Sequence, residues 1–271
     1  MKHPSPDFPD QINLIEGHYQ GPASFHSQPN GHGKFIYLHA KDDTHLYSFV
    51  YVGHFLNGVF HGTGKKMDGQ GYKIECEFVN GRAQGFGRQY YPGGNLMYEG
   101  QFLNGGKNGF GKKFYPSGKL MFEGFLKDSK WTGFGRKYFE HNPNGTATPK
   151  IWYEGECLDN VPHGFGKYYH AKNAALWYEG HFQFGKFDGF GKQTDASEGL
   201  GLLLLYEGSW RDGLKHGIGA YHYDKDYIFE GRWHMDLKVE GIVTYLNCKL
   251  KQVFFTAEDF ERGKVDQDIE H

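Results

Sequence analysis

Apolar and polar positions alternate along this chain in short stretches that return at nearly constant spacing. In Tyr98-Glu99-Gly100-Gln101-Phe102-Leu103, large side chains and polar or absent ones follow each other with a period of two. That period predicts a half-buried β-strand. The opening triplet, a large apolar residue followed by Glu and Gly, recurs as Ile15-Glu16-Gly17, Tyr98-Glu99-Gly100, Phe122-Glu123-Gly124, Tyr153-Glu154-Gly155, Tyr178-Glu179-Gly180, Tyr206-Glu207-Gly208 and Phe229-Glu230-Gly231. Tyr51-Val52-Gly53 and Ile74-Glu75-Cys76 are altered copies. Nine units therefore start near residues 15, 51, 74, 98, 122, 153, 178, 206 and 229, with a base period of 23 to 24 residues.

A second signal, a Gly-x-Gly pair, follows in eight of the nine units. It reads Gly109-Phe110-Gly111, Gly133-Phe134-Gly135 and Gly164-Phe165-Gly166 in three of them. From the second unit to the eighth, the first glycine position and the last stand 11 residues apart, as in Gly100 and Gly111. Constant spacing of that kind fixes a strand register. Each unit is expected to be a β-hairpin. In the fourth, the strands are Tyr98–Leu103 and Gly109–Tyr115, and residues 104–108 form the turn. Symmetric pairing sets Gly100 against Gly111, Phe102 against Gly109 and Glu99 against Lys112, with Tyr98, Gly100, Phe102, Gly109 and Gly111 on one face and Glu99, Phe110 and Lys112 on the other. The same offset couples Glu75 to Arg88, Glu123 to Arg136, Glu154 to Lys167 and Glu179 to Lys192. The position two after the first glycine is aromatic in seven of nine units, and glycines beneath those rings are expected to admit close packing. A lone hairpin of such glycine-rich strands is weak, whereas stacked neighbours bury one another's rings.

Insertions at 38–49, 140–150 and 194–204 account for the uneven spacing and are expected to be contact loops. The array occupies 15–250, after an N-terminal arm at 1–14 and before a C-terminal cap with an acidic tail at 251–271, which is expected to open on a short helical turn. The end units depart from the pattern. The first carries extra loop residues, and the last has Glu240 and Ile242 at the expected glycine positions.

The stretch YEGQFLNGGKNGFGKKFYPSG at 98–118 resembles the MORN repeat (membrane occupation and recognition nexus), and the resemblance extends over about residues 15–250. It implies an all-β fold, an elongated, twisted single-layer antiparallel sheet of successive hairpins. At about 4.8 Å per strand, nine hairpins would span on the order of 85 Å. The family includes components of cytoskeletal assemblies, among them radial spokes of ciliary axonemes, and some members are fused to lipid kinases or SET-domain methyltransferases. About 20 residues lie beyond the last repeat here, so no appended catalytic domain is expected.

Composition narrows the chemistry. Glycine fills 41 positions, and there are 24 Phe, 19 Tyr and 5 Trp, far too many aromatics for simple disorder. Ten prolines and no G-x-y triplet exclude collagen. A net charge of −2 argues against a nucleic-acid binder. The longest apolar run, Leu202 to Leu205, suits a single buried strand and is too short for a membrane span. The N-terminus shows no apolar signal core, and Cys76, Cys157 and Cys248 form no CxxC, so a cytoplasmic chain with reduced thiols is expected. His32, His61, His163 and His216 recur beside or within the glycine pairs, about one unit apart, too far to share an ion; no metal and no cofactor are expected. The recurrent Gly-x-Gly lacks the βαβ setting of a dinucleotide loop, and no catalytic set stands out.

The expected role is a non-enzymatic scaffold in an axonemal, radial-spoke-like or other cytoskeletal assembly, holding partner helices or segments in an aromatic groove. Its expected contacts are Tyr98, Phe102, Phe122, Tyr153, Tyr178, Phe182, Tyr206, Trp210 and Trp233, on a frame of Gly100, Gly109, Gly111, Gly124, Gly133, Gly135, Gly155, Gly164 and Gly166. Partners would be other proteins of a large assembly, with a homodimer through the aromatic face as one arrangement and no nucleic acid. The alternative is a peripheral membrane tether that binds anionic phospholipid weakly through basic doublets such as Lys65-Lys66 and Lys112-Lys113, whose members alternation sends to opposite faces.

Overall fold

The computed structural model describes residues 17–24, 28–41, 45–141, 148–195, 203–223, 227–246 and 252–256. It divides into two compact bodies, Met1–Trp131 and Thr132–His271. The first holds β1 (Gly17–Gln20), β2 (Gly31–Lys41), β3 (His45–Leu56), β4 (Val59–Asp68), β5 (Lys73–Val79), β6 (Arg82–Tyr90), β7 (Leu96–Leu103), β8 (Gly106–Phe114) and β9 (Leu120–Lys127). Strand β10 (Lys130–Tyr138) runs over the division. The second body continues with β11 (Ile151–Leu158), β12 (Val161–Tyr169), β13 (Leu176–Gln183), β14 (Lys186–Asp195), β15 (Leu203–Arg211), β16 (Leu214–Tyr223), β17 (Tyr227–His234), β18 (Leu237–Tyr245) and β19 (Gln252–Thr256). Within each body every strand pairs antiparallel with its sequence neighbours, and no helix occurs among the described residues. The fold class is the one the sequence predicts.

The turns are shorter than expected. Asn104 and Gly105 have φ of 50° and 91°, so β7 and β8 are joined by two residues, both left-handed. This is the geometry that matches the twist of a hairpin and that Asn-Gly favours. A two-residue turn sets Phe102 against Lys107, not Gly109, while Gly100 still faces Gly111. The two registers are reconciled by a bulge at Gly109, whose φ is 91° and which faces the outer side chain of Gln101. Gly109 thus leaves the face assigned to it.

The paired glycines meet as predicted at Gly53–Gly64, Gly100–Gly111, Gly155–Gly166, Gly180–Gly191 and Gly208–Gly219. What lies on them is the ring that opens each unit, and not the aromatic two residues beyond the glycine. A Cβ on Gly111 would come within 2.5 Å of the Tyr98 ring and hydroxyl. Where that ring is tyrosine, its hydroxyl donates a hydrogen bond to the carbonyl three residues on: Tyr51 to His54 at 2.9 Å, Tyr98 to Gln101 at 2.9 Å, Tyr153 to Glu156 at 2.7 Å, Tyr178 to His181 at 3.0 Å and Tyr206 to Ser209 at 3.0 Å. A neutral bond of this type contributes about 1 kcal/mol. Tyr98→Phe is therefore expected to lower unfolding free energy by about 1 kcal/mol with the fold intact, as read from urea denaturation.

This geometry corrects both end units. In the first, Gly17 pairs with Tyr37; it is Tyr19 whose hydroxyl reaches Pro22 O at 2.7 Å and whose ring lies against Gly21 and Gly33. The unit begins at Tyr19, not Ile15. In the last, Gly231 pairs with Gly241 under the Phe229 ring, one residue nearer than in the other units because the bulge there is shorter. The glycine pair is kept. Of the insertions, 38–49 is mostly paired strand, with β2 and β3 in register out to Lys41 and His45, so it is not a loop. Residues 142–147 and 196–202 lie outside the described residues, Leu202 among them, and Leu203 to Leu205 are half-buried in β15. β19 pairs along β18; the arm at 1–14, the helical turn expected after Thr256 and the remaining acidic tail fall outside the described residues.

Candidate interaction surface

Alternation divides the strands into an inner and an outer side, and the inner side is closed. Tyr98, Tyr153, Tyr178 and Tyr206 are 0% exposed, and Phe102, Phe122, Phe182, Trp210 and Trp233 are at most 6% exposed. The nine residues expected to form an open groove are core, which corrects that assignment and removes the same rings from a dimer contact. The reason is visible around Tyr178. The Gly180–Gly191 pair is its floor, Phe187 stacks on its other face at 3.7 Å, and Phe182 and Trp210 close its sides at 5.2 Å and 5.6 Å. Such edge-to-face and stacked pairs stabilise beyond their buried area. Tyr51 is boxed alike by Phe60 at 3.9 Å, Phe55 and Phe78.

The stacking residue stands second after each turn and varies: Phe60, Ala83, Lys107, Trp131, Pro162, Phe187, Lys215, Lys238. Where it is lysine, the ammonium faces a ring, as Lys107 does Tyr98 at 5.2 Å and Lys215 does Tyr206, Trp210, Tyr221 and Trp233 at 5.5 to 5.9 Å. Burial pulls the Lys107 ammonium down to about 7, helped by the neighbouring charge of Lys113, and pulls Lys66 down to about 8. Burial likewise raises the thiols of Cys76 and Cys157 to about 12, too high for nucleophiles at neutral pH. Cys248 lies outside the described residues.

The outer side carries the exposed apolar residues. In the first body these include Phe86, Phe110 and Phe125; in the second, Phe134, Phe165, Phe190 and Ile218, at 44 to 67% exposure. Phe125 apart, each is the middle residue of a Gly-x-Gly. Across the strand that opens the next hairpin they face Gln101 (Phe86), Phe125 (Phe110), Glu156 (Phe134), His181 (Phe165), Ser209 (Phe190) and Arg232 (Ile218). Phe110 and Phe125 touch edge to face at 5.7 Å. The recurrent Gly-Phe-Gly is the sequence signal of this row, because alternation sets its middle residue on the side opposite the ring of the triplet.

Charges border the row. The Glu–base register within hairpins is as predicted for Glu75–Arg88, Glu99–Lys112, Glu154–Lys167 and Glu179–Lys192. The close ion pairs instead bridge consecutive hairpins: Lys65–Glu75 at 3.1 Å, Arg88–Glu99 at 2.8 Å, Lys112–Glu123 at 3.9 Å, Lys167–Glu179 at 3.1 Å and Lys192–Glu207 at 3.0 Å. The ladder between hairpins runs unbroken there, whereas the bulge distorts the ladder within a hairpin next to the glutamate. In the Lys65-Lys66 doublet the first lysine is outward and ion-paired with Glu75, and the second is buried. No group of three His, Cys, Asp or Glu is placed to hold one ion among the described residues.

The MORN repeat model matches six segments, 51–71, 77–96, 98–119, 153–174, 178–199 and 206–225. The chain is similar to MORN repeat-containing protein 3 of Xenopus laevis, 35% identical over 77 residues that make up 28% of this chain and 32% of that one. It is also similar to alsin of Mus musculus, 35% identical over 81 residues, and to human alsin, 33% over 81 residues; each match takes in 29% of this chain and 5% of alsin. The chain thus spans about a third of the first relative and a small part of the others.

Proposed function

We propose that this chain, which belongs to the MORN-repeat proteins, is a non-enzymatic scaffold of a cytoskeletal assembly, of the axonemal kind, that holds partner proteins on its outer side. The observation that carries the reading is the row of exposed phenylalanines on hairpins whose opposite side is fully packed. Exposed apolar residues rimmed by polar ones are a common mark of a protein contact. Within each body the paired glycines and the boxed rings fix the spacing of the row, so a helix or an extended segment of matching apolar spacing would meet a preformed surface there. Ion pairs such as Lys65–Glu75, Arg88–Glu99 and Lys192–Glu207 set an acid beside each of these outward bases, which favours a protein partner over an anionic bilayer.

The test is a pull-down from ciliary or cytoskeletal extract with wild type and with Phe110→Ser/Phe125→Ser, beside flotation with vesicles containing anionic phospholipid. The variant loses one edge-to-face pair at half-exposed sites, so it is expected to be less stable by about 1 to 2 kcal/mol and to remain folded, as circular dichroism checks. Cytoskeletal proteins retained by wild type and lost at least tenfold by the variant support the scaffold. Vesicle binding that falls steeply with salt and is equal in both chains supports the membrane tether instead.

A further inference from the structure

At one place the outer row sets histidine against histidine. In the cross-strand position that holds Phe110 and Phe125 between β8 and β9, strands β2 and β3 place His32 opposite His54. Both are exposed, and their ring centroids are 5.3 Å apart. A second couple stands in the other body, His216 and His234, with ring centroids at 5.1 Å. His54 and His234 lie outside the recurrent glycine-flanking histidines, so spacing along the sequence hid both couples.

We infer that each couple is a two-histidine site for a late first-row divalent ion, with water in the remaining coordination positions. The spacing fits: with metal–nitrogen bonds of about 2.1 Å, an imidazole centroid lies about 3.2 Å from the ion, and two rings at a tetrahedral angle then stand about 5 Å apart. The protonation state fits as well. His54 Nδ1 lies 3.4 Å from the Thr63 carbonyl oxygen, which can only accept, so Nδ1 carries the proton and Nε2 keeps its lone pair for a metal. A carbonyl that fixes the tautomer of a ligating imidazole is a usual outer partner. His216 Nδ1 is buried without a hydrogen-bond partner, as is His163 Nδ1 at the equivalent position beside Phe184, so the second couple is assigned on its ring spacing. Imidazole ligands suit zinc, copper and nickel, with Cu²⁺ held most tightly.

The experiment is calorimetric titration of the whole chain with Cu²⁺ and, separately, Zn²⁺, on wild type, His54→Gln, His234→Gln and the double variant. His181→Gln, whose partner in the same row is Phe165, serves as the control for an uncoupled histidine. Circular dichroism checks that each variant folds. Wild type is expected to take up two more ions than the double variant, each single variant one fewer than wild type, and His181→Gln the full number, with Cu²⁺ bound at least tenfold more tightly than Zn²⁺. Copper electron spin resonance should show two nitrogen ligands in wild type. Equal uptake by wild type and the double variant overturns the inference, and so does a wild type that binds neither ion.

Discussion

Replacing Gly191 by alanine is expected to destabilise the second body by about 3 kcal/mol or more, a large effect for one methyl group. A Cβ there would overlap the Tyr178 hydroxyl and the ring carbon that bears it. The ring has nowhere to go. Phe187 is stacked on its far face at 3.7 Å, its hydroxyl is tied to His181 O at 3.0 Å, and Phe182 and Trp210 hold its edges. Overpacking a site this confined displaces rings shared with the neighbouring hairpins. Guanidinium denaturation followed by tryptophan fluorescence measures the loss. The same substitution at Gly213, a turn glycine with open space around it but φ of 90°, should cost only the local backbone strain, about 1 kcal/mol. Equal losses at the two sites would refute the packing argument.

The second large effect is a pH dependence. Lys107 is 6% exposed and its ammonium is drawn down to about 7, chiefly because burial penalises the charged form. In the unfolded chain it titrates near 10.4. Between about pH 7 and 10 the unfolded state therefore binds the proton that the folded state lacks, so this lysine makes stability rise with pH, by up to about 1.4 kcal/mol per unit. Lys107→Met removes the contribution. The stability of wild type minus that of the variant should climb across this window, by roughly 4 to 5 kcal/mol in all, and be level below pH 6. Using the difference cancels the buried thiols and tyrosines, whose raised values oppose stability at high pH. Parallel curves for the two chains would show that Lys107 keeps its proton in the fold.

The repeat, its strands and the meeting of Gly100 with Gly111 could be read from letters alone, because two signals held a fixed distance. The turns could not be placed from that distance. A five-residue loop and a two-residue turn followed by a bulge at Gly109 leave the same number of residues between the glycines, and only the Asn104-Gly105 pair argued for the second. The first unit was misplaced because Glu16-Gly17 copies the motif, while Tyr19 satisfies the physics by laying its ring on Gly21 and Gly33. The closed inner side was hidden for another reason. Alternation assigns a residue to a side but does not say what covers it, and the covering position holds phenylalanine, alanine, lysine, tryptophan or proline in different units, without a period to detect.

The central claim is that the rings of the triplet are sealed within the chain and that the phenylalanines of the Gly-x-Gly row are its working surface. Hydroxyl-radical footprinting of the free protein tests it most directly. Phe86, Phe110, Phe125, Phe165 and Phe190, all at least 44% exposed, should label readily, while Tyr98, Tyr178 and Trp210, at most 6% exposed, should stay protected until the chain unfolds. Labelling of Tyr98, Tyr178 and Trp210 at rates equal to the phenylalanines would mean that the inner side is open, and it would contradict the account.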